Sequence, residues 1–297
     1  MLSLHSGVLK YFNSFFLFIS LYHYPKKISN FAQKEFIMKI AILGCGNLGF
    51  SIAKGLARNA KDHNLEITAT TPDGNLEQIR KIGISAIREN LPAVQEAEVI
   101  FLCVKPWIAK SLVEEIAPVL DENKHIIISP VAGLSIDQIL SRCSKNIPVF
   151  RIMPNIAASV CQSTTCVSYK ADEISKQKVF DLLSLIGSVI EIDESRINAA
   201  TILTGSGIAF IMRFMRAMVE GGVEIGFPAD VATQIVNQTF KGTVDFVMSE
   251  NAHPEALIDR VCTPSGTTIR GLNQMEKCGF SSSVIEGILS AYGVINK

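Results

Sequence analysis

A glycine-rich loop directly after a short apolar run restricts the fold of this chain more than any other feature. The run 39–43 reads KIAIL, the loop 44–49 reads GCGNLG, and good helix formers follow it. A G-x-G-x-x-G loop between a strand and a helix is typical of dinucleotide binding. Gly44 would allow the tight turn, Gly46 would let the backbone approach a pyrophosphate, and Gly49 would let helix and strand pack closely. The alternative is a tight turn without a ligand.

Short runs rich in Ile and Val recur after this loop and alternate with longer helix-like stretches. Continuous apolar runs of this kind are expected of strands buried on both faces of a parallel sheet. The pattern therefore predicts an α/β fold with a Rossmann-type doubly wound sheet. The predicted strands are 39–43, 65–69, 98–104, 125–129, 148–152, 164–168 and 188–192, with helices at 107–120 and 174–186.

The strand-like runs stop after Asp193, and only helical spacing follows. We therefore predict a dinucleotide-binding domain over 38–195 and an all-helical domain over 196–297. The predicted helices are 197–225, interrupted at Gly205-Ser206-Gly207, then 230–249, 253–261, 268–277 and 282–295.

The first 37 residues differ in composition from the rest, since they hold six of the 16 Phe and three of the five Tyr. The uncharged run 11–22 would form a helix of roughly 18 Å, too short for a hydrocarbon core of about 30 Å. Lys10 precedes this run as in a signal peptide, but no small-x-small cleavage site follows. We predict that 1–37 is a disordered or non-native extension and that Met38 is the natural start; a targeting segment and a functional appendage are the alternatives.

Charge and cysteine content exclude several classes of protein. With 28 basic and 28 acidic residues and 48% hydrophobic residues, the chain is neither disordered nor a nucleic-acid binder that works through bulk charge. The seven Cys lack CxxC spacing, and Cys161 and Cys166 have no nearby His to complete a zinc site. We therefore expect reduced thiols, a cytoplasmic protein, no metal, and no nucleic-acid or membrane partner.

The end of the second predicted strand bears on which nucleotide is bound. An NAD site usually has Asp or Glu there, whereas this chain has no carboxylate before Asp73. The hydroxyls of Thr70 and Thr71 could accommodate a 2′-phosphate, so NADP (NADPH) is favoured, although the expected Arg is missing from this turn and NAD stays open. At the end of the strand 98–104, Val104, Lys105 and Pro106 would lie toward the nicotinamide ribose, unless Lys105 is an ordinary surface residue.

A loop rich in small and hydroxyl residues, CTPSGTT at 262–268, opens a predicted helix near the C-terminus. Such a loop can present consecutive backbone N–H groups to an anion. A capped helix start without a ligand is the alternative.

Taken together, these motifs resemble those of the pyrroline-5-carboxylate reductase family, from Met38 nearly to the end of the chain. The resemblance implies a Rossmann domain, a helical domain that forms a homodimer and in some members a higher oligomer, and NAD(P)H-dependent reduction of 1-pyrroline-5-carboxylate to L-proline, the last step of proline biosynthesis. The motifs that carry it are GCGNLG at 44–49, VKP at 104–106, AG at 132–133, RIMPN at 151–155, GSG at 205–207, HP at 253–254 and the stretch 259–272.

The resemblance also implies roles for individual residues. Thr268 would be the catalytic residue, with its hydroxyl nearest the ring nitrogen, and backbone N–H groups of its loop would hold the substrate carboxylate. The substrate-binding residues would be Ser265, Gly266, Thr267 and Thr268. The cofactor-binding residues would be Gly44, Gly46, Asn47, Leu48, Gly49, Thr70, Thr71, Val104, Lys105, Pro106 and Asn155.

Four departures from the family pattern fall on the substrate side: Ile156, Ile208, Ser265 and Arg216. They leave open a divergent paralogue that acts on a related cyclic imine and an NADP-binding regulatory protein without activity. A β-hydroxyacid dehydrogenase is disfavoured, because it needs a Lys on the domain-linking helix and none occurs between Glu194 and Lys241.

Overall fold

The computed structural model describes residues 37–72 and 74–295, so most of the predicted extension 1–37 lies outside the described residues. Eight strands form one sheet in the order β3-β2-β1-β4-β5-β6-β7-β8. The strands are β1 (Met38–Leu43), β2 (Leu65–Thr70), β3 (Ser85–Ile87), β4 (Val99–Leu102), β5 (Ile126–Ser129), β6 (Val149–Met153), β7 (Ser163–Lys170) and β8 (Gly187–Glu191). The doubly wound sheet predicted from the sequence is confirmed, and its order reverses between β1 and β4.

The sheet is parallel except where β6 and β7 pair antiparallel, with Met153 opposite Cys166. The sequence pattern predicted neither this pair nor β3. Residues 154–162 between β6 and β7 are too few for a crossover helix, so the chain returns antiparallel. Three-residue β3 is too short to show a periodic pattern.

Helices cover both faces of the sheet and bury its apolar side chains. Phe101 and Phe150 are fully buried on one face, and Ile100 and Ile127 on the other. The helices of this part are α1 (Asn47–Asn59), α2 (Leu76–Arg80), α3 (Asn90–Glu96), α4 (Pro106–Ile116), α5 (Ile136–Cys143) and α6 (Glu173–Ser184).

Beyond β8 the described chain is helical, in agreement with the sequence pattern. The helices are α7 (Ile197–Thr201), α8 (Gly207–Glu224), α9 (Ala229–Glu250), α10 (Pro254–Val261), α11 (Thr267–Lys277) and α12 (Phe280–Ile295). The predicted interruption at Gly205-Ser206-Gly207 is wrong, because a π-helical turn, Ile202–Ser206, carries the helix into α8. A π-turn absorbs an extra residue without breaking the helix.

The helical part leaves much apolar surface uncovered. Ile211 on α8 is 54% exposed, and Ile285 and Leu289 on α12 are each 55% exposed. Within the described residues, the helical run Glu194–Glu224 is long and apolar enough to cross a membrane, and its mean hydropathy is 1.4. The bent pair α11–α12 meets the same criteria of length and composition if it is counted as one span. Exposed apolar side chains concentrated on a few helices are typical of an interaction surface.

Candidate active site

The glycine loop between β1 and α1 has the geometry expected of a pyrophosphate cradle. Gly44 has a φ of 92°, and a Cβ there would lie 2.7 Å from the carbonyl oxygen of Cys103. A Cβ at Gly49 would lie 2.2 Å from the carbonyl oxygen of Gly44. A Cβ at Gly46 would meet no atom within 4 Å, so this glycine faces open space. The loop therefore leaves room at Gly46 for a ligand while its other two glycines are enclosed by protein.

The N-terminus of α1 is open to an anion. Its cap residue is Gly46, which supplies no side-chain cap, and its first turn holds no acidic residue. Asn47 is exposed and Leu48 is half-buried against the core. The unpaired N–H groups and the helix dipole favour a phosphate at this position.

Two thiols border this loop and stay neutral. Burial raises the pKa of Cys45 to about 11. Burial also holds the pKa of Cys103 well above its usual range, and the nearby Cys45 adds to the effect. Neither thiol therefore places a negative charge beside a bound pyrophosphate near neutral pH.

The VKP motif lies beside the same loop. Val104 Cγ1 would lie 2.8 Å from a Cβ on Gly44, so this residue lines the turn. Lys105 is exposed and precedes α4, whose first residue is Pro106. The adjacent Trp107 is 77% exposed. The parallel order of β1 and β4 places the glycine loop and the VKP motif at one crevice.

The two threonines at the end of β2 serve the protein's own structure. Thr70 is fully buried and its hydroxyl donates to Asn90 Oδ1 at 2.6 Å, so the expectation that it faces a phosphate is wrong. Thr71 is only 8% exposed, and its hydroxyl accepts the Gly74 N–H at 3.0 Å. The sequence pattern missed both Asn90 and Arg88, whose guanidinium caps the same turn. Only pairing with β3, a strand too short to predict, brings Arg88 to this position.

Asn155 lies just beyond β6, at the sheet edge that also carries the glycine loop. Its Oδ1 accepts the Ala157 N–H at 2.9 Å and caps the 3-10 turn Ile156–Val160. It also lines a groove of about 670 Å³ between the sheet and α7–α8, together with Ile208 and Thr204. Ile156, another position that departs from the family, is 44% exposed on the capped turn.

The second predicted anion site, at the start of α11, also has an open helix N-terminus. Gly266 is the cap residue, with no side-chain cap and no acidic residue in the first turn. A Cβ at Gly266 would lie 2.4 Å from Thr263 Oγ1, so glycine is required there. Thr267 is exposed and Thr268 is half-buried. This arrangement offers backbone N–H groups and two hydroxyls to a carboxylate.

Ser265 in this loop has a φ of 62°, in the left-handed region. This departure from the family pattern therefore lies at a position with positive φ, which non-glycine residues adopt uncommonly. In the described chain α11 packs on α12, whereas the nucleotide loop packs on the sheet. The structure thus brings the glycine loop and the VKP motif, both predicted to bind the cofactor, to one crevice, and it places the predicted carboxylate loop on the helical part.

Comparison with known proteins gives matches to both parts of the chain. The family model described as pyrroline-5-carboxylate reductase dimerisation matches residues 194–296. The model described as NADP oxidoreductase coenzyme F420-dependent matches residues 39–133. Pyrroline-5-carboxylate reductase 2 of Dictyostelium discoideum is 37% identical over 272 residues, which cover 84% of this chain and 89% of that protein.

The chain belongs to the pyrroline-5-carboxylate reductase family. Pyrroline-5-carboxylate reductase 1 of the same organism is 40% identical over 85% of this chain, and this chain spans 48% of that relative. A solved 1-pyrroline-5-carboxylate reductase from Streptococcus pyogenes is 28% identical with a TM-score of 0.76, covering 87% of this chain and 98% of that one. The Plasmodium falciparum enzyme, solved with NADP bound, shares the fold at 24% identity with a TM-score of 0.78, over 87% of this chain and 97% of that one.

Proposed function

We propose that this chain reduces 1-pyrroline-5-carboxylate to L-proline with NADPH, the last step of proline biosynthesis. The observation that carries the proposal is the pair of open helix N-termini, at α1 and α11, each capped by a glycine and free of acidic residues in its first turn. Both the cofactor and the substrate carry anionic groups, and such termini bind these groups through backbone N–H groups. Family membership identifies the two anions as a dinucleotide and a cyclic imino acid.

The residues present fit NADPH. The open space before Gly46 and the uncapped α1 would hold the pyrophosphate, and Val104, Lys105 and Pro106 would border the nicotinamide. When bound, NADPH supplies a hydride to carbon C5 of the imine ring. Asn155 lies at the same sheet edge and holds the turn after β6, which is a supporting role.

The helical part would orient the substrate. Backbone N–H groups from Ser265 to Thr268 would bind its carboxylate, and the Thr268 hydroxyl would hydrogen-bond the ring nitrogen. A protonated imine is already electrophilic, so positioning its C5 supplies most of the rate enhancement and no strong base is needed. The Thr268 hydroxyl would also hold a proton on the ring nitrogen.

An assay with purified chain, the imine and NADPH tests this function. We expect loss of NADPH absorbance, and Thr268→Ala should lower kcat/KM by roughly 10²-fold if the hydroxyl acts in the transition state. Turnover by the wild type no greater than by Thr268→Ala would contradict the proposal. NADPH binding without turnover would favour the regulatory alternative instead.

A related cyclic imine is the second candidate substrate, favoured by Ile208 in the groove and by the left-handed Ser265 in the carboxylate loop. A panel of five- and six-membered cyclic imino acids separates the two. The five-membered ring should give the higher kcat/KM, and a clear preference for the six-membered ring would reassign the substrate.

We also propose a homodimer formed through the helical domain, with domain limits of 38–195 and 196–297. The exposed apolar residues of α8 and α12 and the match to a dimerisation model support this. A second copy would cover the apolar run Glu194–Glu224. Light scattering should give at least twice the chain mass, and a monomer at micromolar concentration would contradict the dimer.

We further propose that the enzyme works in the cytoplasm, without a nucleic-acid or membrane partner. All seven cysteines are free thiols, as expected in a reducing compartment. Fractionation of cells that express the full chain should recover it with cytosolic markers. Recovery with membranes or an organelle would contradict the proposal.

A further inference from the structure

The ends of β2 and β3 lie side by side at the nucleotide edge of the sheet. The two strands pair in parallel, with Thr70 opposite Ile87, and the Thr71 N–H donates to the Ile87 carbonyl at 3.3 Å. The residue that follows β3 is Arg88. It therefore leaves the sheet at the edge where the ribose of a dinucleotide is bound.

Arg88 is held against the β2–α2 loop by backbone oxygens. Its Nη1 donates to the carbonyls of Thr71 at 3.0 Å, Pro72 at 2.7 Å and Gly74 at 2.9 Å. These acceptors are neutral, and Arg88 forms no ion pair with any described residue. The guanidinium is thus fixed in place with its positive charge uncompensated by a described carboxylate.

The same loop leads directly to the nucleotide cradle. Asn75, the residue after Gly74, borders a concavity of about 130 Å³ together with Gly46 and Asn47. The hydroxyls of Thr70 and Thr71 are buried in structural hydrogen bonds. Arg88 is exposed, so a ligand can reach its guanidinium.

We propose that Arg88 determines the preference for NADPH by binding the 2′-phosphate of the adenosine ribose. This inference rests on the proposed function, because it assumes a dinucleotide at the glycine loop. Nη1 already donates hydrogen bonds to carbonyl groups of the loop. Nη2 and Nε form no hydrogen bond to a described residue, so they can donate to two phosphate oxygens. The cation missing from the β2 turn in the sequence is thereby supplied from β3.

Calorimetric titration with 2′,5′-ADP and 5′-AMP tests the proposal, since the two probes differ only in the 2′-phosphate. Arg88→Gln should weaken 2′,5′-ADP binding by about tenfold or more, and change 5′-AMP binding by less than about twofold. Arg88→Lys should retain part of the preference because it keeps the charge. Arg80→Gln is the matched control: Arg80 is also exposed and donates to a backbone carbonyl, that of Ala86, at 2.8 Å, and its loss should change neither affinity.

An equal loss of both affinities in Arg88→Gln would show that Arg88 only shapes the loop, and would overturn the proposal. Unchanged affinities would overturn it as well. Thermal melting of each variant separates a folding defect from a binding defect. If the wild type itself binds both probes equally, the 2′-phosphate site is absent, yet imine reduction with NADH would still support the proposed reaction.

Discussion

Arg151 and Glu194 form an ion pair that joins the sheet to the helical part, with Nη1 and Oε1 3.2 Å apart. Arg151 lies on β6 with a side chain only 7% exposed, and its Nη2 donates to Asn198 Oδ1 at 3.0 Å. Glu194 Oε1 also accepts the Ile136 N–H at 2.9 Å. One carboxylate therefore links β6, the start of α5 and the 3-10 turn before α7.

Glu194→Gln should lower the free energy of unfolding by about 1–3 kcal/mol, because it leaves the buried guanidinium without its counter-charge. Glu220→Gln is the matched control, since it breaks an exposed pair with Arg216 and should cost less than about 0.5 kcal/mol. Urea unfolding of both variants measures the difference. Equal effects would show that the Arg151 pair contributes no more than a surface pair.

Gly46→Ala and Gly49→Ala should fail in different ways. An added Cβ at Gly46 enters the open space assigned to the pyrophosphate, so NADPH affinity should fall about tenfold or more while Tm moves by less than about 2 °C. At Gly49 the Cβ collides with a backbone oxygen, so the variant should lose about 3 kcal/mol or more of stability. Trp107 fluorescence, the single tryptophan signal, reports binding. A stable Gly49→Ala protein would refute the packing argument.

Substitutions at Ser265 should depend on the left-handed φ of 62°. Ser265→Gly relieves backbone strain but adds conformational freedom to the unfolded chain. Its net effect on the free energy of unfolding should therefore lie within about 1 kcal/mol. Ser265→Val should raise KM for the imine several-fold, because a β-branched residue disfavours this conformation and shifts the loop that precedes Thr268. Steady-state kinetics of both variants checks this. Equal KM values for Val and Gly would mean that the loop geometry does not set substrate binding.

Acid should destabilise the chain through His125. Its Nδ1 accepts the Asp121 N–H at 2.7 Å and its Nε2 faces the Val94 carbonyl at 3.1 Å, so protonation would set two N–H groups against each other. Burial lowers the pKa of His125 below its usual value, with a smaller contribution from Lys124.

Because the unfolded state binds the proton more tightly, His125 favours the folded state above a pH of about 6.5, and this contribution declines as pH falls. Urea unfolding at several pH values should show a smaller pH slope for His125→Gln than for the wild type. His63→Gln, at an exposed histidine, should keep the wild-type slope. An unchanged slope in His125→Gln would assign the acid sensitivity to other groups.

Local sequence determined the glycine loop and the two open helix starts. It also determined the strands of the described sheet, with the exception of β3. Gly44, Gly46 and Gly49 act through backbone conformation and the absence of a side chain, which a short motif specifies. Apart from the contacts of Gly44 and Gly49 with residues that follow β4, these features depend on the conformation of one strand–turn–helix unit, so periodicity and spacing are sufficient to predict them.

Tertiary structure decided the features that depend on contacts between residues distant in the sequence. The short strand β3 pairs with β2 and brings Arg88 to a turn that has no cation of its own in the sequence. The same packing buries Thr70 and gives its hydroxyl to Asn90. The Arg151–Glu194 contact likewise joins residues far apart in the chain. The antiparallel pairing of β6 with β7 follows from the short segment that connects them. Hydrogen bonds of this kind leave no periodic trace, because each partner lies on a different element.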